Sequence, residues 1–102
     1  MKYGLSDRTL NTLYLIFSKY TGIKQAILYG SRAKGNFRTG SDIDISFKTD
    51  DSFTHNNLLR IGNDLDDSDL PYLVDISIYE RLTNQELRNH IDRIGKVLYT
   101  FP

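Results

Sequence analysis

Helical and strand patterns alternate along the whole of this sequence, and this alternation constrains its fold more than any other feature. Helices are marked by apolar residues three and four apart, and strands by strict alternation of polar and apolar residues. In chain order the patterns predict helix 6–21, strand 25–29, helical turn 31–34, strand 42–47, helix 53–67, strand 72–78 and helix 83–98. The order α-β-α-β-α-β-α, without repeats or linkers, predicts one α/β (α+β) domain over residues 1–102, with helices packed on a small mixed sheet.

The C-terminal segment is predicted to be entirely helical. The run Thr83–Glu86 has the pattern of a capping box, which begins a helix. Leu87, Ile91, Ile94 and Leu98 then recur at helical spacing, so we expect them to form one buried stripe.

Several classes of site are excluded by composition. The chain has no cysteine, which removes disulfides, thiol catalysis, zinc fingers and iron–sulfur ligation together. Its two histidines, His55 and His90, are isolated, and we expect them at the surface or the rim of the core. No segment approaches the roughly 20 apolar residues of a membrane span, so we expect a cytoplasmic protein without membrane contact.

The formal net charge of zero hides two blocks of opposite sign. From Lys19 to Arg38 there are five basic residues and no acidic one, whereas residues 39–75 carry nine Asp against only Lys48 and Arg60. Such blocks suit a site that holds an anion together with a cation, although surface charges are also often uneven by chance. The overall charge balance argues against an extended nucleic-acid surface, so we expect any macromolecule on which this protein acts to be a protein, not a nucleic acid.

Carboxylates are placed where they can bind a common cation. The strand period of two puts Asp42 and Asp44 on the same face, and Asp75 has the same character on the next predicted strand. At about 4 Å each like-charged pair would cost roughly 4 kcal/mol, which a divalent cation such as Mg²⁺ or Mn²⁺ would relieve. The alternative is a solvated strand edge. The acidic run 64–69 is better explained as a solvated helix end, because it lacks the pattern of a calcium loop.

A candidate phosphate cradle, Gly30-Ser31-Arg32-Ala33-Lys34-Gly35, follows the first predicted strand directly. A glycine allows the backbone to approach an oxyanion, the start of a helical turn offers N–H groups, and the serine and two cations add donors and charge. The segment has neither the dinucleotide-binding pattern nor the P-loop pattern. The alternative for Arg32 and Lys34 is that they are solubilising surface charges.

Together these residues resemble a known family. Gly30-Ser31, ten intervening residues and Asp42-Ile43-Asp44 resemble the G-S-x10-D-x-D signature of the polymerase β-like nucleotidyltransferase superfamily. The cradle together with Ser41–Ile45 is similar to its minimal nucleotidyltransferase (MntA-type) branch, and the resemblance extends over the whole chain. Lys34 stands where many relatives have arginine, and no expected carboxylate is missing.

The resemblance implies roles for individual residues. Asp42 and Asp44 would hold two Mg²⁺ ions, for which Mn²⁺ is an alternative, and Asp75 would complete the catalytic metal site and help to deprotonate the attacking hydroxyl. ATP would be the substrate and AMP the transferred group. The implied nucleotide-binding residues are Gly30 and Ser31 at the β,γ-phosphates, with Arg32, Lys34 and Ser41.

The resemblance also implies a partner. Members of this branch act as antitoxins of a HEPN protein, an RNase toxin, by transferring AMP to one of its tyrosines, so we expect a hetero-oligomer with such a protein. Two alternatives remain open. The protein could neutralise its partner by binding alone, or it could transfer a nucleotide to a small hydroxylated molecule.

Overall fold

The computed structural model describes every residue from Met1 to Pro102. No helix is long and apolar enough to cross a membrane. The elements in chain order are α1 (Asp7–Phe17), β1 (Ile23–Tyr29), α2 (Gly30–Lys34), β2 (Ile43–Thr49), α3 (His55–Asp66), β3 (Val74–Ile78), a 3₁₀ turn (Tyr79–Arg81), α4 (Gln85–Ile94) and β4 (Lys96–Thr100).

The four strands form one mixed sheet in the order β3-β2-β1-β4. Strand β1 pairs antiparallel with both β2 and β4, whereas β2 and β3 run parallel. Because β2 and β3 are parallel, their connection must cross over the sheet, and α3 makes this crossover. The predicted small mixed sheet with packed helices is therefore confirmed.

The prediction of a continuous C-terminal helix is wrong. Helix α4 ends at Ile94, and after Gly95 the chain forms β4, which pairs with β1. Leu98 is buried, but from this strand rather than from a helical stripe. The helical spacing of Leu98 was misleading because residues 96–100 are compatible with a strand as well as with a helix. They form a strand because the edge of β1 is available for pairing.

Side-chain caps begin the three longer helices. Ser6 caps α1, and Thr54 caps α3 within a capping box. The cap of α4 is Asn84, whose side chain accepts a hydrogen bond from the backbone N–H of Leu87 at 3.0 Å. The predicted cap one residue earlier, at Thr83, is therefore corrected. Asparagine accepts this bond as well as threonine does, so the sequence did not distinguish the two positions.

The main core lies on the sheet face that α1 and α3 cover. Phe17 is fully buried there and packs edge-on against Phe47, with ring centroids 5.1 Å apart. The cluster has 16 buried members, among them residues from α1, all four strands and α3. On the opposite face α4 packs through a cluster of only three buried residues, Ile27, Tyr29 and Ile91. That thinly covered face carries the candidate site.

Candidate active site

Gly30 joins the end of β1 directly to the start of α2. Its φ of +73° lies in the left-handed region that favours glycine. A Cβ built on Gly30 would also overlap the carboxylate of Asp44, which belongs to the neighbouring strand. Glycine is therefore required twice, once for the turn and once for the close approach of the predicted cradle to the predicted cation ligands.

The predicted carboxylates are aligned across two strands. Asp44 and Asp75 are register partners in the parallel pair β2–β3, and Tyr29 is the partner of Asp44 on the other side. Adjacent strands lie about 4.8 Å apart, so the three positions form a row across the sheet. Asp42 lies just before β2, where the backbone N–H of Ile43 donates to the carbonyl of Leu73 at 2.9 Å. The two strands are therefore neighbours, which is the condition under which the three carboxylates were expected to converge.

Negative charge accumulates along this row. The pKa of Asp44 is raised above its usual value, mainly by burial and then by the charges of Asp75 and Asp42, while His90 acts in the opposite direction. Burial, Asp75 and Asp44 likewise raise the pKa of the Tyr29 phenol. The only salt bridge of the protein is elsewhere, between Lys19 and Asp64. The site therefore contains carboxylates that no side-chain cation neutralises by an ion pair.

These residues fit a divalent cation that is shared with a ligand. Short carboxylates supply the oxygen ligands that Mg²⁺ and Mn²⁺ prefer. However, no three His, Cys, Asp or Glu side chains lie close enough together to form a metal site by themselves. This suits Mg²⁺, which is typically held by one or two carboxylates together with water and substrate phosphates rather than by a complete protein cage.

His90 contacts the cradle at Gly30 and occupies the backbone N–H of that residue, which the sequence did not indicate. Its Nε2 accepts a hydrogen bond from the backbone N–H of Gly30 at 3.0 Å, and its ring lies edge-on to Tyr29. It was expected to be a surface or rim residue, and it is half-buried. No local sequence pattern predicts the contact between His90 and Gly30, because it forms only when α4 packs on β1 through Ile91.

Arg32 is placed differently from the prediction. The residue is 2% exposed, and its side chain donates hydrogen bonds to the carbonyls of Ser41 and Tyr3. The Ser41 hydroxyl is also engaged, since it accepts a hydrogen bond from the backbone N–H of Arg38 at 2.8 Å. Direct contact of Arg32 with a nucleotide does not fit this arrangement.

The remaining cradle residues are accessible. Ser31 is half-buried in the first turn of α2. Lys34 is the last residue of α2, is exposed and makes no ion pair. Their predicted contacts with nucleotide phosphates stay predictions.

The candidate site is an open face rather than an enclosed pocket. None of the surface clefts is lined by the cradle pair 30–31 or by the three aspartates. A cleft of about 340 Å³ is lined by Lys19, Gly22 and Arg60 near the opposite ends of the strands. The carboxylate row therefore lies outside the surface clefts of the protein.

A glycine-serine turn lies against an aspartate of a neighbouring strand on a small mixed sheet, an arrangement that suits a phosphate group and a divalent cation. Residues 11–101 match the family described as "Polymerase beta, Nucleotidyltransferase". The chain belongs to this family and is a nucleotidyltransferase. No curated protein matches it in sequence.

Solved structures share the fold. A chain of a toxin-antitoxin complex with AMP-PNP superposes with a TM-score of 0.72 and 22% identity, over 89% of this chain and 73% of the other. A chain of the toxin-antitoxin pair MntA-HpeT, in a mutant form, gives a TM-score of 0.68 and 19% identity over 94% and 74%. A protein from Sulfolobus solfataricus described as a nucleotidyltransferase gives 0.56 and 14% over 89% and 76%.

Proposed function

We propose that this protein transfers AMP from ATP, with Mg²⁺, to a tyrosine hydroxyl of a partner HEPN toxin, and that it thereby acts as the antitoxin. The observation that carries the proposal is the contact between the Gly30 turn and the Asp44 carboxylate, with Asp75 beside it on an open face. This contact joins a phosphate cradle to cation ligands. Membership of the nucleotidyltransferase family supports the reaction type.

The structural comparisons support the choice of substrate and partner. One similar structure is a toxin-antitoxin complex with AMP-PNP, an ATP analogue. Another is MntA-HpeT in which a tyrosine is replaced by alanine, and it shares 22% identity with this chain over 94% of its length. These descriptions support ATP as the substrate and a toxin as the partner in the proposed reaction.

The three aspartates and the cradle each have a task in the proposed reaction. Asp42, Asp44 and Asp75 would hold the divalent cations, and the Gly30-Ser31 turn would orient the β,γ-phosphates. A bound cation neutralises phosphate charge and lowers the pKa of an acceptor hydroxyl. The acceptor oxygen bonds to the α-phosphorus of ATP while the bond from that phosphorus to the bridging oxygen breaks. Pyrophosphate leaves, and the exposed Asp75 carboxylate accepts the hydroxyl proton.

The open face favours a protein as the acceptor. Asp75 is exposed on β3, which is an edge strand of the sheet. A surface that covers this edge would bring an acceptor side chain directly to the row. A folded partner supplies such a surface, whereas a small molecule would depend on a pocket that is absent here.

The test uses the partner encoded by the adjacent gene, ATP labelled at the α-phosphate, and Mg²⁺. The partner should become labelled, and Asp44→Asn or Asp75→Asn should reduce labelling by more than about a hundredfold, since even residues that only support metal ligands can cost that much. Asp66→Asn, at the exposed end of α3, is the matched control and should label normally.

Two outcomes would contradict the proposed reaction. If the two proteins form a complex and the toxin is neutralised without any label, the protein acts by binding alone. If label appears only on an added small hydroxylated compound such as an aminoglycoside, the acceptor class is wrong although nucleotidyl transfer stands.

A further inference from the structure

We propose that Arg32 is a positioning residue, which fixes the loop before β2 so that Asp42 lies beside Asp44 and the cradle. The proposal rests on the proposed function for the identity of the ligands, a divalent cation and ATP. It assigns Arg32 a role that differs from contact with the nucleotide.

The hydrogen bonds of Arg32 hold two segments of backbone. Its Nε and Nη2 donate to the carbonyl of Ser41 at 3.1 and 2.8 Å, and its Nη1 donates to the carbonyl of Tyr3 at 2.9 Å. All three guanidinium nitrogens are thus engaged with backbone oxygens. This planar fork is a geometry that lysine cannot reproduce, because an ammonium is a single point of charge.

Two aromatic rings complete the surroundings of the guanidinium. Its central carbon lies 5.1 Å from the centroid of the Phe37 ring and 4.7 Å from that of Tyr72. Both distances are within the range of cation–π attraction. Arg32 makes no salt bridge, so these rings and carbonyls are what offsets the cost of its burial. Arg32 therefore links α2 to the N-terminal segment, to the loop at Phe37 and to the segment that leads into β3.

The bond to Ser41 bears directly on Asp42. The Ser41 carbonyl and the Asp42 N–H belong to the same planar peptide unit, so a double hydrogen bond to that carbonyl fixes the unit from which the Asp42 side chain starts. The same loop closes on itself, since the Ser41 N–H donates to the carbonyl of Arg38 at 3.0 Å. Arg32 connects this loop to α2, which begins with the cradle.

Contact with a phosphate would dismantle this arrangement. The guanidinium would have to give up its bonds to Ser41 and Tyr3 and leave the space between the two rings. Lys34, which is exposed on the same short helix, can supply positive charge to a nucleotide without such a change.

The experiment separates the binding of the metal from the binding of the nucleotide. In Arg32→Lys we expect the Mn²⁺ concentration for half-maximal binding, measured by electron paramagnetic resonance of free Mn²⁺ with ATP present, to rise by about tenfold or more. At saturating Mn²⁺ the affinity for ATP, measured by calorimetry, should stay within about twofold of the wild type. The neighbouring Arg38→Lys is the matched control and should leave both values unchanged, because the Arg38 side chain is exposed.

Gly40→Ala tests the same loop without touching Arg32. Gly40 has a φ of +83°, and a Cβ there would meet no atom within 4 Å, so the substitution strains only the backbone ahead of Ser41. We expect it to raise the Mn²⁺ requirement in the same way as Arg32→Lys. This variant decides the question if Arg32→Lys fails to fold, which thermal unfolding would reveal.

Two results would overturn the role of Arg32. The first is weaker ATP binding at saturating Mn²⁺ with an unchanged metal requirement, which would make Arg32 a phosphate ligand. The second is a metal requirement that neither Arg32→Lys nor Gly40→Ala alters. Both are binding measurements on the isolated protein, so they remain informative if no AMP is transferred to a partner, which is the separate failure of the proposed function.

Discussion

One face of the sheet is covered by α1 and α3 over a cluster of 16 buried apolar residues, whereas the other is covered by α4 through three. On the first face Phe17 and Phe47 are fully buried and stack edge to face. On the second face Asp44 and Asp75 are adjacent and repel each other. The chain therefore places most of its apolar burial on one side of the sheet and its uncompensated charge on the other.

This division has a physical basis in the strands themselves. Successive side chains of a strand point to opposite faces, so Ile43, Ile45 and Phe47 can enter the core while Asp44 remains on the opposite side. Like charges cost free energy, and a core that lies on the other face can offset this cost without contacting the site. Substitutions on the two faces should consequently change different properties.

Phe17→Ala should have the largest effect on stability. Removing a fully buried aromatic side chain typically costs about 3–5 kcal/mol, a large part of the stability of a small protein. Ile91→Ala, in the smaller cluster, should cost only about 2 kcal/mol because few buried neighbours surround it. Urea unfolding measures both. Equal losses would contradict the unequal contributions of the two faces.

Gly30→Ala should combine a moderate loss of stability with loss of activity. At φ +73° alanine is strained by about 1–2 kcal/mol, and its Cβ would also displace the Asp44 carboxylate. Gly35→Ala is the comparison for backbone strain alone, since Gly35, which is not among the predicted nucleotide-binding residues, has φ +89° with nothing within 4 Å. Both variants should unfold at lower urea than the wild type, but only Gly30→Ala should abolish transfer of AMP. Normal transfer by Gly30→Ala would refute the close approach of cradle and carboxylate.

Asp44→Asn should stabilise the protein while it removes activity. Burial and neighbouring carboxylates raise the folded-state pKa of Asp44, so its ionised form destabilises the fold at neutral pH. This penalty decreases as the pH falls below the folded-state pKa, and it is absent below the unfolded value of about 3.9. The melting temperature of Asp44→Asn should therefore exceed that of the wild type at pH 7, and the gain should vanish near pH 4.

The size of this gain reports the repulsion at the site. For a chain of about this length each kcal/mol recovered raises the melting temperature by about 4–8 °C. Asp66→Asn, at an exposed position, serves as the control and should change the melting temperature little at either pH. A lower melting temperature of Asp44→Asn at pH 7 would show that Asp44 is not under repulsion in the protein.

Tyr99→Phe should have the smallest effect. The Tyr99 hydroxyl is buried and has no hydrogen-bond partner, although its ring packs edge-on against Phe17. Phenylalanine keeps the ring and removes an unsatisfied polar atom, so unfolding free energy should stay the same or rise by about 1 kcal/mol. A clear loss of stability would mean that the hydroxyl is hydrogen-bonded in solution.

Local patterns were sufficient for much of the fold. Residues that repeat every three to four positions formed α1 and α3, and alternating residues formed β2 and β3. The bounds of α3, β2 and β3 are close to the predicted ones, whereas α1 ends at Phe17 instead of near residue 21. Prediction failed at Leu98, where a helical spacing and a strand were both compatible with the same residues. Residues 96–100 form a strand because they pair with the edge of β1.

The sequence alone determined the candidate residues, because the spacing of Gly30-Ser31 and Asp42-Ile43-Asp44 depends only on chain order and on the strand period. Tertiary structure decided which of them face one another and which do not. It paired Asp44 with Asp75, brought His90 to the Gly30 N–H, and buried Arg32 between Phe37 and Tyr72. These contacts join residues that are far apart in the chain, so they exist only once the elements have packed.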